Sequence, residues 1–230
     1  YWETYTKMNS EKSISSLEII KKQIAELEID AGQKKGSVKL IAVSKTKPMD
    51  QIKPVLDEGQ SHFGENKVQE GVLKWQELKE KNKTIDLHLL GPLQSNKVKK
   101  VFGIFDYIHS LDRNSLAEKI SDEVQRKGFC PKIFIQVNTG LEQQKAGIEP
   151  ENLYEFIKTI RKFMSLNIVG LMCIPPINDI PEKHFKFLKK LADENGLPEL
   201  SMGMSSDYKA AIKNGATYIR VGTAIFGSRQ

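Results

Sequence analysis

From Val38 onward the chain alternates between two hydrophobic rhythms. Short apolar runs are separated by longer stretches in which apolar residues recur at helical spacing. The first rhythm fits buried strands and the second fits the inner face of amphipathic helices. Strands are predicted at Val38–Val43, Ser61–Gly64, Ile85–Leu90, Tyr107–His109, Lys132–Val137, Ile168–Cys173, Glu199–Met202 and Thr217–Val221. Helices are predicted between them, near Met49–Glu58, Lys67–Glu80, Ser95–Val101, Ser115–Lys127, Glu151–Phe163, Pro181–Glu194 and Ser206–Asn214. Ahead of the first strand, Ile14, Leu17, Ile20, Ile24 and Leu27 predict an extra N-terminal helix over Ser10–Leu27. Pro150 and Pro181 read as first-turn prolines, and Asn114-Ser115 and Ser205-Ser206 as helix caps.

Strands alternating with helices predict a parallel α/β sheet. Eight such units suit a closed (β/α)₈ barrel. The competing architecture is an open doubly wound sheet, but no Gly-x-Gly-x-x-Gly opens a first helix. Without a repeat, low-complexity tract or linker, the expectation is one domain over residues 1–230. The chain opens on Tyr1, so residues 1–9 or so are expected to be disordered or foreign to the native chain, with Met8 near its natural start.

Bulk properties remove several functions. No apolar stretch is long enough for a membrane helix, and Tyr1–Ser10 carries no signal pattern. Cys130 and Cys173 make neither a disulfide framework nor a metal site, so a cytoplasmic protein is expected. The net charge is +6, from 35 basic and 29 acidic residues. The lysines are interspersed with acids, as in Lys74–Lys81, and the densest cluster, Lys97–Lys100, lacks interleaved aromatics. That reads as a solvated surface rather than a nucleic-acid footprint. Arginines number only five, so Arg220, inside the apolar run Tyr218–Gly222, stands out.

A barrel of this kind places its chemistry at the C-terminal ends of the strands. Lys45 ends strand one, Glu65-Asn66 follow strand two, His88 and Gly91 flank the end of strand three, and Asn138 ends strand five. Met172-Cys173 end strand six, Ser205-Ser206 follow strand seven, and Gly222-Thr223 follow strand eight. Loops seven and eight, Gly203–Asp207 and Gly222–Gly227, combine hydroxyls, glycines and helix-start N–H groups, which suits a phosphate. A strand-end lysine ordinarily extends into solvent. Opposite a phosphate cradle, a partly desolvated Lys45 with Lys47 or Arg220 nearby suits a Schiff base to a phosphorylated aldehyde or ketone. Two classes fit, pyridoxal phosphate (PLP) and the ketose phosphates of lysine-dependent aldolases. Arg220 favours the first, because a guanidinium can hydrogen-bond a pyridine nitrogen without readily giving it a proton. His62, His109 and His184 show no metal-ligand spacing, and no Ser-His-Asp arrangement is evident.

Ala42–Pro48, Phe63–Glu70, His88–Lys97, Leu200–Asp207 and Arg220–Gly227 together resemble five motifs of the pyridoxal phosphate homeostasis proteins, over a span from about Ser10 to the C-terminus. That family is similar to the N-terminal barrel of alanine racemase, the fold-type III PLP architecture. The resemblance implies a Schiff base on Lys45 and a phosphate held by Ser205, Ser206, Gly222 and Thr223. It also implies Arg220 facing the pyridine nitrogen, with Asn66, His88 and Met172 lining the pocket. The chain departs from the family at Lys67, where an aromatic residue is common, and at Ala146, where serine is frequent.

The implied function is a carrier and regulator of intracellular PLP with no catalysed reaction, a monomer whose acceptors are apo PLP enzymes. The alternative is a PLP-dependent amino-acid racemase. Two-base racemisation needs an acid/base on each face of the substrate. Lys45 can serve one face. In alanine racemase the other is a tyrosine from a second, β-rich domain of the partner subunit, and that domain is expected to be absent here because the chain ends just after strand eight. Tyr208 reads as packing.

Overall fold

Eight parallel strands close into a barrel in chain order. They are β1 Lys39–Val43, β2 His62–Glu65, β3 Asp86–Leu89, β4 Tyr107–Leu111, β5 Lys132–Gln136, β6 Ile168–Met172, β7 Glu199–Ser201 and β8 Tyr218–Val221. The structure is a computed structural model that describes residues 1–228. Closure is made by β1 against β8, with Ile41 opposite Arg220 and Ala42 opposite Val221. The expected (β/α)₈ barrel is therefore the fold, and the open sheet is excluded. The last two residues of the expected domain, Arg229 and Gln230, lie outside the described residues.

The helices are α1 Trp2–Asp30, α2 Met49–Asp57, α3 Val68–Lys81, α4 Val98–Val101, α5 Asn114–Lys127, α6 Leu153–Phe163, α7 Pro181–Glu194, α8 Tyr208–Lys213 and α9 Thr223–Phe226. Short 3₁₀ turns at Ser95–Lys97 and Pro150–Asn152 lead into α4 and α6. Pro150 and Pro181 start their segments as expected, because a first-turn residue needs no N–H partner. The expected caps do not form. Arg113 precedes α5 and Asp207 precedes α8, neither with a side-chain cap bond. Asp207 Oδ1 instead accepts the Met204 N–H at 2.7 Å, which closes loop seven on itself.

Two apolar layers result. An outer layer lies between sheet and helices, including Phe63, Leu87, Trp75, Ile108 and Phe185. A smaller inner cluster fills the barrel: Ile41, Leu90, Tyr107, Phe134, Met172 and Tyr218. Strand residues alternate between the two, as the pleat demands. Gly170 marks the tightest strand contact, since a Cβ there would lie 1.9 Å from the Glu199 carbonyl oxygen.

The extra N-terminal helix is present and longer than expected. Residues 2–9, expected to be disordered, form its first turns. No proline or glycine interrupts them, and Thr6 and Ser10 tie their hydroxyls to the carbonyls of Trp2 and Thr6. Further along, Leu17, Ile20 and Ile24 are buried, and α1 packs on α2, α8 and α9, across the β1–β8 closure. Its end is locked to β1 by Glu28, which accepts the Val38 N–H at 3.0 Å.

Candidate functional site

The chain leaves β1 through a β-turn. The Ser44 carbonyl accepts the Lys47 N–H at 3.1 Å, so Lys45 and Thr46 are its central residues. Lys45 thus stands two residues beyond the strand, in a turn, and not on its last position. Thr46 has φ 65°. The third residue of a type II turn needs positive φ and is ordinarily glycine. A β-branched residue there is an outlier of the kind that concentrates at functional sites.

Three side chains from β2 and α3 hold this turn. Glu65, fully buried at the end of β2, accepts at Oε1 from the Ser44 hydroxyl at 2.8 Å and from the Trp75 indole at 2.9 Å. Lys74 lies 2.7 Å from the same oxygen and donates to the Ser44 carbonyl at 2.6 Å and to Glu70 at 3.2 Å. Glu70 accepts the Thr46 N–H at 2.6 Å. Burial raises the Glu65 carboxyl above its ordinary value, opposed by Lys74, Trp75 and Ser44. Its other oxygen, Oε2, is buried without a hydrogen-bond partner among the described residues.

Loops seven and eight meet beside that turn. Val43 and Gly222 are in near contact, with the Val43 carbonyl oxygen 3.2 Å from where a Gly222 Cβ would stand. Ser205 does not cap α8. Its Oγ accepts the Ala224 N–H at 3.3 Å, which bridges loop seven to the first turn of α9. The expected Gly222–Gly227 turn is that short helix, because Gly222 accepts from Ile225 and Phe226. Gly203 has φ 100°, and a Cβ there would be 2.6 Å from Ala211, so loop seven turns tightly under α8. Ser206 and Thr223 are exposed, and Ser205 and Gly222 half-buried. On the other side of Lys45, half-buried Asn66 follows β2. Its carbonyl oxygen would stand 2.2 Å from a Cβ on Gly91.

Beneath the rim the barrel holds a line of polar groups. Arg220, 4% exposed, donates to the Ser201 hydroxyl at 2.7 Å and to the Cys173 carbonyl at 2.9 Å. Ser201 Oγ lies 2.8 Å from His109 Nδ1, His109 Nε2 lies 2.8 Å from His88 Nδ1, and His88 Nε2 lies 2.9 Å from His62 Nδ1. Asp86 stands 3.9 Å beyond His62 Nε2 at the barrel floor. His88 stacks on Tyr107, with ring centroids 3.9 Å apart, and His109 on Phe134.

The donor chemistry favours one direction for this line. Arginine only donates, so Ser201 accepts from it and keeps its own hydrogen available for His109 Nδ1. In that sense His109 carries its proton on Nε2 and donates to His88, and His88 does the same to His62. Burial holds His88 and His109 well below the usual imidazole value, with neighbouring positive charge adding to it, Arg220 for His109, and His109 and His62 ahead of Lys79 and Lys132 for His88. Burial also lowers Arg220, opposed by Cys173 and Asp207. A guanidinium nevertheless stays charged. Among the described residues no carboxylate forms an ion pair with Arg220.

The expected site residues therefore fall into two groups. Lys45, Asn66, Ser205, Ser206, Gly222 and Thr223 share the C-terminal rim. Arg220, Met172 and His88 lie inside the barrel. Met172 and His88 are fully buried, and His88 is deeper than a wall residue, with both ring nitrogens engaged. Sequence reasoning missed Ser201, His109 and His62 as partners of Arg220, and Glu65, Glu70 and Lys74 as partners of the Lys45 turn. The inward period-two positions of β3, β4, β7 and β8 carried the first signal: His88, His109, Ser201 and Arg220 are polar where a barrel interior is ordinarily apolar.

The sequence profile described as the alanine racemase N-terminal domain matches residues 16–230. A pyridoxal phosphate homeostasis protein of Aquifex aeolicus is 40% identical, covering 87% of this chain and 91% of that one. The protein of that name from Vibrio cholerae is 41% identical, covering 93% and 95%. This chain belongs to the pyridoxal phosphate homeostasis protein family. Among solved structures, PipY of Synechococcus elongatus with PLP bound is 40% identical, with a TM-score of 0.76, covering 89% of this chain and 100% of that one. An alanine racemase of Clostridium difficile shares the fold at 16% identity and TM-score 0.71, and this chain spans 57% of its length. No described helix is long and apolar enough to cross a membrane.

Proposed function

We propose that this protein binds PLP at the C-terminal rim of the barrel and serves as an intracellular carrier of that cofactor. The carrying observation is Arg220. Among the described residues this buried cation hydrogen-bonds only neutral oxygens, Ser201 and the Cys173 carbonyl; that is a costly arrangement, and it suits a site that receives a polar acceptor. A pyridine nitrogen is such an acceptor, and an arginine there withholds the proton that would make the ring a strong electron sink. The fit extends to the rim. Lys45 supplies the amine for the aldehyde, and Ser205, Ser206, Gly222 and Thr223 supply donors for the phosphate. Asn66 borders the ring, and Met172 and His88 close the space beneath it. When bound, PLP supplies electron withdrawal from an attached amino group.

Three observations favour carriage over racemisation. The relatives are named for homeostasis of PLP, and PipY was solved with PLP bound and without it. In this chain Tyr208, the tyrosine nearest the site motifs, is buried and gives its hydroxyl to Gln23 of α1, so it is not placed as a second base. We place the protein in the cytoplasm as a monomer, with apo PLP enzymes as acceptors. The test mixes holo-protein with an apo-enzyme and, separately, with D- and L-alanine in deuterated water. Recovery of the acceptor's activity without α-deuterium incorporation supports the carrier. Incorporation at enzyme-like rates overturns it in favour of the racemase.

A further inference from the structure

The turn that carries Lys45 is more heavily fastened than a surface turn requires. Its first residue, Ser44, is held at both ends, the hydroxyl by Glu65 and the carbonyl by Lys74. Its third residue, Thr46, takes a backbone conformation that suits glycine, and its N–H is held by Glu70 at 2.6 Å. Lys45 stands between these two fixed points. The fasteners are themselves joined, because Lys74 pairs with Glu65 at 2.7 Å and with Glu70 at 3.2 Å. Glu65 is out of solvent altogether and Lys74 is 14% exposed at its side chain. Burying a carboxylate and an ammonium to hold one turn is unfavourable unless the turn's geometry matters.

We propose that Glu70, Lys74 and Glu65 are positioning residues, which hold the Ser44–Lys47 turn so that the Lys45 amine meets the cofactor aldehyde in a reactive geometry. This rests on the reading of Lys45 as the cofactor lysine. A covalent bond is demanding in distance and angle, and a displacement of about an ångström costs about a hundredfold in rate. Phosphate and ring contacts are made by other loops, so the three residues act on the covalent step and not on docking. The step itself balances without a further reagent: the amine adds to the aldehyde carbon, and the aldehyde oxygen leaves as water with two protons from the amine.

The experiment compares PLP with pyridoxine 5′-phosphate, which has the same ring and phosphate but an alcohol in place of the aldehyde. Glu70→Ala is the main variant, because Glu70 is at the edge of the network and its loss leaves the buried Glu65–Lys74 pair intact. Loss of a hydrogen bond to a charged group predicts PLP binding weakened by about ten- to a hundredfold, with slower trapping by borohydride and reduced absorbance of the covalent form. Binding of pyridoxine 5′-phosphate should stay within about twofold. Glu70→Gln keeps an acceptor for the Thr46 N–H and should restore most of the loss. Equal weakening of both ligands, or PLP binding unchanged in Glu70→Ala, overturns the proposal. Wild-type protein that traps no PLP on Lys45 overturns the cofactor-lysine reading on which it stands, and that result is read on the wild type alone.

Discussion

Arg220 donates to the Ser201 hydroxyl at 2.7 Å, and that bond favours one order for the histidines behind it. A hydroxyl that accepts from a guanidinium has its hydrogen left to give, and the nearest acceptor is His109 Nδ1. The orientation passes on through His88 to His62 at the floor. The same line holds the guanidinium from below, so the residue facing the proposed ring nitrogen is fixed by groups from β2, β3, β4 and β7.

The direction of that line predicts tautomers. Nitrogen-15 NMR of histidine-labelled protein at about pH 7 should show His88 and His109 neutral with the proton on Nε2. Ser201→Ala removes the group that imposes the order and leaves a buried donor on Arg220 without its partner, so His109 loses its single tautomer and stability falls by about 1 to 3 kcal/mol. Nδ1–H tautomers in the wild type contradict the direction.

Stability should also fall in mild acid. His88 and His109 are held neutral by burial, below the ordinary value of 6.5. In the unfolded chain they take up protons below about pH 6.5, whereas in the native barrel they do not. The unfolded state then binds more protons, so stability rises with pH. Their contribution is complete above about pH 6.5 and is lost as pH falls towards their depressed native values. Between about pH 7.5 and 5.5 the pair should remove about 2 to 3 kcal/mol. Denaturant titration at the two pH values checks this, and His109→Gln should cut the difference by about half. An unchanged difference in the variant contradicts the assignment.

Gly91 should tolerate no side chain. A Cβ there would overlap the Asn66 carbonyl oxygen at 2.2 Å, and the obstruction is backbone, which must move. Gly91→Ala is expected to cost about 1 to 3 kcal/mol, or a melting temperature lower by about 2 to 4 °C per kcal/mol. It should also weaken PLP binding, because Asn66 moves with its backbone. A variant with wild-type melting and binding contradicts the contact.

The legible parts of this molecule were those written in single rhythms. Short apolar runs gave all eight strands, and the three- and four-residue spacing around Leu17, Ile20 and Ile24 gave α1, whose earlier turns carry no such signal. The rim residues were legible because barrel strands end where chemistry collects. The turn clamp was not, since Glu70 and Lys74 read as helix surface, and Glu65 as a rim residue after strand two, until β2 and α3 fold them back over Ser44 and Thr46. The histidine line was not, because each histidine alone looks like a satisfied core residue. Only the pairing of β2, β3 and β4, and the barrel closure that faces β7 towards them, brings them into line. Ser205 was misread as a cap because the sequence does not reveal that loop eight comes within reach of its hydroxyl.

The central claim is that Lys45 holds PLP covalently and reversibly. Borohydride reduction of the protein saturated with PLP, followed by peptide mapping, tests it most directly. The account predicts one equivalent of phosphopyridoxyl label on the peptide carrying Lys45, and none in Lys45→Ala. Label on another lysine, or no label at all, would contradict it.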